Sequence, residues 1–196
     1  MIDMKLASHN SWSYLKPRKW WMRLFRFMVR CQDEDISTQY EKCGVRCFDL
    51  RLKFEGYGVL RVNHNWTDFS ISKEELLDDL EWLNSKRDVS VRVLLDIRTK
   101  HSYTEAQTEN FKNWCNYFEE KFPHIKFWGG RNLYNWHVEY SFSYEPTCAE
   151  RYSSVCNPHL IDDWYPRWFA KRYNKEIFQE GSSADFLMLD FVNYIK

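Results

Sequence analysis

The chain has 196 residues, and its 28 basic and 28 acidic side chains cancel to a formal charge of zero. This length and a hydrophobic content of 44% predict one domain over residues 1–196 and exclude a disordered, collagen-like or low-complexity protein. No apolar run approaches the roughly 18 residues that a membrane-spanning helix needs. Aromatic residues make up 18% of the chain, more than a core requires, so some of them are expected to meet a ligand or an interface.

The neutral total hides an uneven distribution of charge. No acidic residue lies between Asp3 and Asp33, whereas this stretch holds seven basic ones, and the rest of the chain is acidic. The sequence therefore predicts a local basic patch and argues against a nucleic-acid partner.

The first third of the chain begins with a short strand, Lys5 to Ser8, that ends at His9. Helical periodicity from Lys19 to Arg30 predicts an amphipathic helix. A short helix from Ile36 to Cys43 is expected to end at Gly44, a common helix-terminating residue. Val45 to Leu52 and Val59 to Asn63 then predict two strands joined by a turn.

The rest of the chain alternates helices and strands. The capping box Ser72-x-x-Glu75 opens a helix over Lys73 to Asn84. A buried strand, Ser90 to Ile97, precedes a long helix, Thr104 to Phe122. The remaining predicted strands are Ile125 to Trp128, Trp136 to Tyr144 and Phe186 to Val192, and Asp162 to Gln179 is predicted to be partly helical.

This alternation indicates an α/β fold with seven or eight strands. The count and the short chain favour a small, distorted or abbreviated (β/α)8 barrel of the TIM type. An open doubly wound sheet is the alternative, but no glycine-rich phosphate loop follows any strand.

Polar side chains follow several of the predicted strands. They are His9, Asn10, Asp49, Arg51, His64, Asp96 and Asp190. Each has a structural alternative: a histidine can be a hydrogen bonder, and Asp49 and Arg51 can form an internal ion pair. Together, two imidazoles, a guanidinium and a carboxylate suit phosphodiester cleavage by a hydroxyl group of the substrate itself. One imidazole removes the proton, the other protonates the leaving oxygen, and the arginine neutralises the phosphoryl charge.

Four blocks resemble the X domain of phosphatidylinositol-specific phospholipase C. They are His9-Asn10-Ser11, the strand from Gly44 to Arg51, His64 thirteen residues after Arg51, and Phe186 to Val192, with Leu94-Leu95-Asp96 in addition. The resemblance extends from about residue 5 to residue 193.

The resemblance implies a distorted TIM barrel that cleaves phosphatidylinositol into diacylglycerol and an inositol cyclic phosphate. It implies that His9 is the general base and His64 the general acid. Arg51 would bind the phosphate, as in the bacterial, metal-independent branch, and Asp190 would pair with His9.

The alternative to metal independence is a calcium site. Asn10, Asp49 and Asp96 could supply three oxygen ligands, and the calcium-dependent relatives carry similar residues. Arg51 would place its own positive charge beside such an ion, which favours metal independence and no cofactor. The positions expected to bind the substrate are Asn10, Asp49, Asp96, Glu139 and Tyr140, and the last two lie on segments that would approach the inositol ring. For Glu139 and Tyr140, a solvated loop position is an equal alternative.

Trp20, Trp21 and Phe25 lie in the basic, aromatic stretch and are predicted to contact a membrane surface. The alternative is a helix that packs on the barrel with its basic side toward water. Trp12 and Tyr14 would extend the aromatic rim. We expect a monomer that meets a phospholipid substrate through peripheral membrane contact.

No signal peptide is visible, which favours a cytoplasmic or peripheral-membrane location. Cys148 and Cys156 are close enough in sequence for a disulfide, and buried thiols are the alternative. Two further functions stay open: a glycerophosphodiester or sphingolipid phosphodiesterase on the same barrel, and a non-catalytic membrane-binding domain.

Overall fold

The computed structural model describes residues 4–55, 58–97, 105–152 and 165–195. Its eight strands are β1 (Lys5–Ser8), β2 (Cys47–Glu55), β3 (Val59–His64), β4 (Thr67–Asp68), β5 (Ser90–Leu95), β6 (Lys126–Asn132), β7 (Ala149–Tyr152) and β8 (Phe186–Leu189). Its α-helices are α1 (Ile36–Glu41), α2 (Lys73–Asn84), α3 (Glu105–Lys121) and α4 (Pro166–Glu180).

Six strands form a curled parallel sheet in the order β7-β8-β1-β2-β5-β6. The strand β3 pairs in antiparallel fashion with the second half of β2, and β4 pairs with β3. In the part of the chain that the structure describes, β6 and β7 do not pair, so the sheet closes only partly. The predicted abbreviated barrel is confirmed.

The strand β2 is the centre of the sheet, and its alternating pattern separates two environments. Phe48, Leu50 and Leu52 pack in the main hydrophobic core, together with buried residues of α2 and α3. Because side chains alternate along a strand, Cys47, Asp49 and Arg51 lie on the opposite, inner face.

The inner face is apolar at one end and polar at the other. Ala7, Cys47, Trp128, Phe186 and Met188 form a second, smaller buried cluster. Two residues further along β1, β2 and β8, the same face carries polar side chains instead. The polar edge therefore lies at the carboxyl ends of the parallel strands.

The predicted amphipathic helix from Lys19 to Arg30 is wrong. Two short 3-10 helices, Trp20–Arg23 and Arg26–Met28, occupy this stretch. From Lys19 to Met28 only Met22 is buried, so a longer helix would have no apolar face to pack and stabilise it. The side chains of Arg23 and Arg26 donate to the carbonyl oxygens of Pro17 and Tyr14, which fixes the segment in its irregular path.

The predicted strand from Trp136 to Tyr144 is also wrong, since only an isolated bridge joins Val138 to Arg131. Trp136 adopts a left-handed conformation (φ 56°), which interrupts the extended chain. The strands β4 and β7 were not predicted, because one has only two residues and the other, Ala-Glu-Arg-Tyr, is largely polar.

Two smaller predictions concern Trp12 and the cysteines. Trp12 does not belong to an exposed rim, because it is fully buried and its indole N–H donates to Asp79 over 2.8 Å. Cys148 is exposed, and Cys156 lies outside the described residues, so their pairing stays a prediction. Among the described residues, no helix is long and apolar enough to cross a membrane.

Candidate active site

The structure brings His9, Arg51, His64 and Asp190 together at the polar edge. His9 Nδ1 lies 2.6 Å from a carboxylate oxygen of Asp190, and Arg51 Nη2 contacts His9 Nε2. The rings of His9 and His64 are perpendicular, with centroids 6.0 Å apart. The antiparallel course of β3 returns its last residue, His64, toward the level of Arg51 on β2.

A sharp turn of the backbone follows three of these side chains. Asn10, Asn65 and Phe191 adopt left-handed φ angles of 47°, 55° and 48°, and each comes directly after a site residue. Asparagine tolerates this conformation, whereas for phenylalanine it is strained, and such strain clusters at functional sites. The turns leave the preceding side chains at the strand ends, facing the site.

Gln32 ties the strands that carry His9 and Asp190. It is fully buried, and its amide N–H groups donate to the carbonyl oxygens of His9 and Leu189. The side-chain carbonyl oxygen of Gln32 accepts from the backbone N–H of Val192. The ends of β1 and β8 are thereby held side by side, which fixes the His9–Asp190 contact.

His9 is neutral in this arrangement. Its pKa lies well below the usual value, because burial and the positive charges of Arg151 and Arg51 outweigh the carboxylate of Asp190. We assign the N–H to Nδ1, which donates to Asp190, and leave Nε2 as the acceptor that contacts Arg51. A neutral imidazole can accept a proton on Nε2 once that lone pair is released by Arg51.

His64 is also neutral. Burial and the neighbouring Arg51 lower its pKa to about 3, although the hydrogen bond to the carbonyl oxygen of Val29 opposes this change. That bond joins Nδ1 to the oxygen over 2.8 Å. To act as an acid, His64 must gain a proton, and a bound phosphodiester anion nearby would favour the charged form.

Asp49 anchors Arg51 through a buried group of charges. One carboxylate oxygen accepts from Arg51 Nε at 3.1 Å and from the backbone N–H of Asn10, and the other accepts from Arg92 Nε at 2.8 Å. Burial opposes ionisation of Asp49, yet Arg92 and Arg51 together hold its pKa below the usual range. Asp49 is therefore a charged partner of two arginines rather than a free group facing a substrate.

Asn10 and Asp96 lie at the same edge and retain unused polar atoms. Both polar atoms of the fully buried Asn10 side chain and one oxygen of Asp96 have no hydrogen-bond partner in the described part of the chain. The other oxygen of Asp96 accepts from the backbone N–H of Asn65. These groups are available to a ligand, whereas a calcium ion would also need Asp49, whose oxygens already bind Arg51 and Arg92.

The structure does not bring Glu139 and Tyr140 to this edge. The hydroxyl of Tyr140 donates to Glu119 of α3 at 2.8 Å, and its ring packs against the main core. Glu139 lines a surface groove with residues of the first turns of α3. Both residues lie on the helix-covered side of the sheet, opposite the face that carries Asp49 and Arg51.

Two partly buried arginines and one buried thiol at the site were missed in the sequence. Arg151 on β7 is close enough to lower the pKa of His9, and its Nε has no hydrogen-bond partner among the described residues. Arg92 was passed over as an ordinary residue of an apolar strand, and Cys31 as a buried thiol. The period of two along β5 places Arg92 on the same face as Asp96, which is the signal that could have found it.

Exposed apolar side chains lie beside His64. We call them the aromatic lip: Trp20, Trp21, Leu24, Phe25, Phe27 and Met28. Trp20 is 74% exposed and Leu24 70%. Trp66, two residues after His64, shares a groove with Trp21, Phe25 and Met28. Val29 follows the aromatic lip in the sequence, and its carbonyl oxygen accepts a hydrogen bond from Nδ1 of His64.

No protein-family model matches the chain, and no curated protein matches its sequence. Its fold is similar to solved structures of phosphatidylinositol-specific phospholipase C. A variant of the Staphylococcus aureus enzyme has a TM-score of 0.62 at 15% identity, over 97% of this chain and 86% of that one. The Listeria monocytogenes enzyme has a TM-score of 0.62 at 13% identity, over 97% and 89%. A further S. aureus structure, from a study of membrane binding, has a TM-score of 0.58 at 15% identity, over 97% and 86%. At this identity the likeness shows the fold.

Proposed function

We propose that this protein is a phosphodiesterase that cleaves phosphatidylinositol, or a related lipid phosphodiester, to a cyclic phosphate. One observation carries the proposal: His9, paired with Asp190, lies with His64 and Arg51 around one point at the carboxyl edge of the sheet. The similarity of the fold to phospholipase C structures supports it.

In the first half of the proposed reaction, His9 Nε2 takes the proton of the inositol 2-hydroxyl as that oxygen attacks phosphorus. Arg51 occupies Nε2 in this structure, so the substrate hydroxyl replaces that contact and the guanidinium turns to the phosphoryl oxygens. Asp190 accepts the Nδ1 hydrogen bond, which holds the productive tautomer and stabilises the imidazolium that forms.

In the second half, His64 donates a proton to the diacylglycerol oxygen as its bond to phosphorus breaks. The products are diacylglycerol and an inositol cyclic phosphate. His64 faces the same space as His9, which suits an acid and a base on opposite sides of a phosphoryl group. No metal ion takes part, because Arg51 already supplies the positive charge.

The substrate of such an enzyme lies in a bilayer, and we propose that the aromatic lip contacts it. Trp20, Trp21 and Phe25 expose large apolar surfaces beside the general acid. This position would bring the lip to the membrane interface when the site reaches a headgroup. Peripheral membrane contact by a monomer is the arrangement we propose.

The function is tested by measuring release of cyclic inositol phosphate from phosphatidylinositol in EDTA and in Ca²⁺. We expect equal turnover in both, abolished by His9→Ala and by His64→Ala. His124→Ala is the matched control, because it also removes a histidine but one that is exposed, and it should retain activity. Turnover of glycerophosphodiesters or sphingomyelin alone would favour the second enzyme hypothesis. Binding to anionic vesicles without turnover of any phosphodiester would refute catalysis.

A further inference from the structure

A buried thiol, Cys31, lies beside the proposed general base and has no part in the reaction. Cys31, His9 and Asp190 each offer one donor atom, and these three atoms lie within 4.8 Å of one another. Their exposed fractions are only 4%, 1% and 3%. His64 Nδ1 lies 3.9 Å from the sulfur.

We propose that Cys31, His9 and Asp190 bind one soft divalent cation of the Zn²⁺ type. The proposal further holds, resting on the function proposed above, that the ion inhibits the enzyme by occupying its general base. Sulfur, imidazole nitrogen and carboxylate oxygen are the donors that zinc takes, and a fourth position stays open to water.

The spacing of the donor atoms suits such an ion after a small adjustment. Zinc bonds of about 2.0–2.3 Å place tetrahedral ligand atoms roughly 3–4 Å apart. His9 Nδ1 and the Asp190 oxygen, 2.6 Å apart here, must separate slightly, while the sulfur approaches them. Both movements are side-chain rotations at strand ends or in the loop that holds Cys31.

The charge of the three ligands also suits the ion, and it must outweigh the repulsion from Arg51 and Arg151, the two arginines that lower the pKa of His9. On binding, the Cys31 thiol releases its proton to solvent, so a thiolate and the carboxylate of Asp190 neutralise the two positive charges. Asp190 is not paired with an arginine among the described residues, unlike Asp49, which is shared by Arg51 and Arg92. A cation at Asp190 therefore displaces no guanidinium from its carboxylate.

Binding would change the tautomer of His9. Nδ1 must present its lone pair to the ion, so the ring hydrogen moves to Nε2 and the Arg51 guanidinium, which donates to Nε2 in this structure, must turn away. Nε2 then has no lone pair for the substrate hydroxyl. This is the physical reason for inhibition: the metal-bound histidine cannot remove a proton.

The site is tested on the full chain by titration with Cd²⁺, whose bond to thiolate gives an ultraviolet charge-transfer band. We expect a band that saturates at one equivalent, is lost in Cys31→Ser and is retained in Cys148→Ser, which removes an exposed thiol. Circular dichroism establishes that each variant is folded. If Cys31→Ser does not fold, Asp190→Asn, which keeps the sulfur, should weaken Cd²⁺ binding at least tenfold.

Absence of the band, its survival in Cys31→Ser, or its loss in Cys148→Ser would overturn the metal site. A second measurement follows Zn²⁺ inhibition of cyclic phosphate release and its reversal by EDTA. A band without any turnover would retain the metal site and reject the proposed function, so the two failures are distinguishable.

Discussion

The buried pair of Asp49 and Arg92 should be essential to the stability of the fold. The two residues face each other in register across β2 and β5, with Arg92 Nε 2.8 Å from the carboxylate. The Asp49 side chain is 0% exposed and that of Arg92 12%. Removing one partner of a buried pair costs about 3–5 kcal/mol when the remaining charge has no other partner. Asp49 keeps Arg51 Nε at 3.1 Å, so the lower end of this range, about 3 kcal/mol, applies here. We therefore expect Arg92→Leu to lower the free energy of unfolding by about that amount.

The measurement is urea denaturation followed by tryptophan fluorescence at pH 7. The matched control is Arg18→Leu, because Arg18 contacts Glu55 over 3.1 Å but with both side chains 36% exposed or more. That exposed pair should contribute less than about 1 kcal/mol. Arg92→Lys keeps the charge and should fall between the two. If Arg92→Leu costs no more than Arg18→Leu, the buried charge group does not hold the inner face together.

Three further predictions concern the site and its surroundings. Arg51→Lys should severely reduce turnover, since lysine keeps the charge but loses the planar pair of donors, and near-wild-type kcat would reject the assigned role. Replacing Trp20, Trp21 and Phe25 by alanine should reduce activity on vesicles and spare activity on a water-soluble substrate. Tyr117→Ala, on the outer face of α3, is the control. Equal losses of activity on both substrates would indicate that the three residues have a structural role. Lowering the pH from 7 to 5 should destabilise the protein, because unfolded His64 takes up a proton near pH 6.5 and folded His64 only near its pKa of about 3. This difference is worth at most about 2 kcal/mol over that range, and His64→Asn should show a shallower dependence of the unfolding free energy on pH.

The strand-end residues could be predicted from sequence because two simple regularities govern them. Parallel strands end at one edge of a sheet, and residues two apart share a face, so His9, Arg51 and Asp190 had to lie near one another once the strands were recognised. Their polarity against an apolar background marked them individually. His64 follows for a different reason, since β3 is antiparallel and its position depends on the hairpin with β2.

The predictions that were missed or wrong concern segments whose conformation depends on tertiary contacts. The spacing of Lys19, Arg23, Arg26 and Arg30 is helical, yet Arg23 and Arg26 bind backbone carbonyl oxygens of the preceding loop. Tyr140 was expected near the substrate, with a solvated loop position as the alternative, but its hydroxyl donates to Glu119 of α3, away from the site. None of these three contacts has a signal in the local sequence, because the partners lie 6, 12 and 21 residues away along the chain.

The two buried carboxylates at this edge have different partners, and with the proposed metal site this difference would separate a hard cation from a soft one. The charge of Asp49 is shared by Arg92 and Arg51, so a calcium ion there would compete with two guanidinium groups. Asp190 is bonded instead to His9, a neutral ring, and lies beside Cys31, whose thiol can become a second negative ligand. Oxygen-seeking ions gain nothing from the sulfur, whereas a thiophilic ion gains both charges. If the proposed metal site is correct, the pairing of each carboxylate, rather than the number of acidic residues, decides which cation the edge can hold.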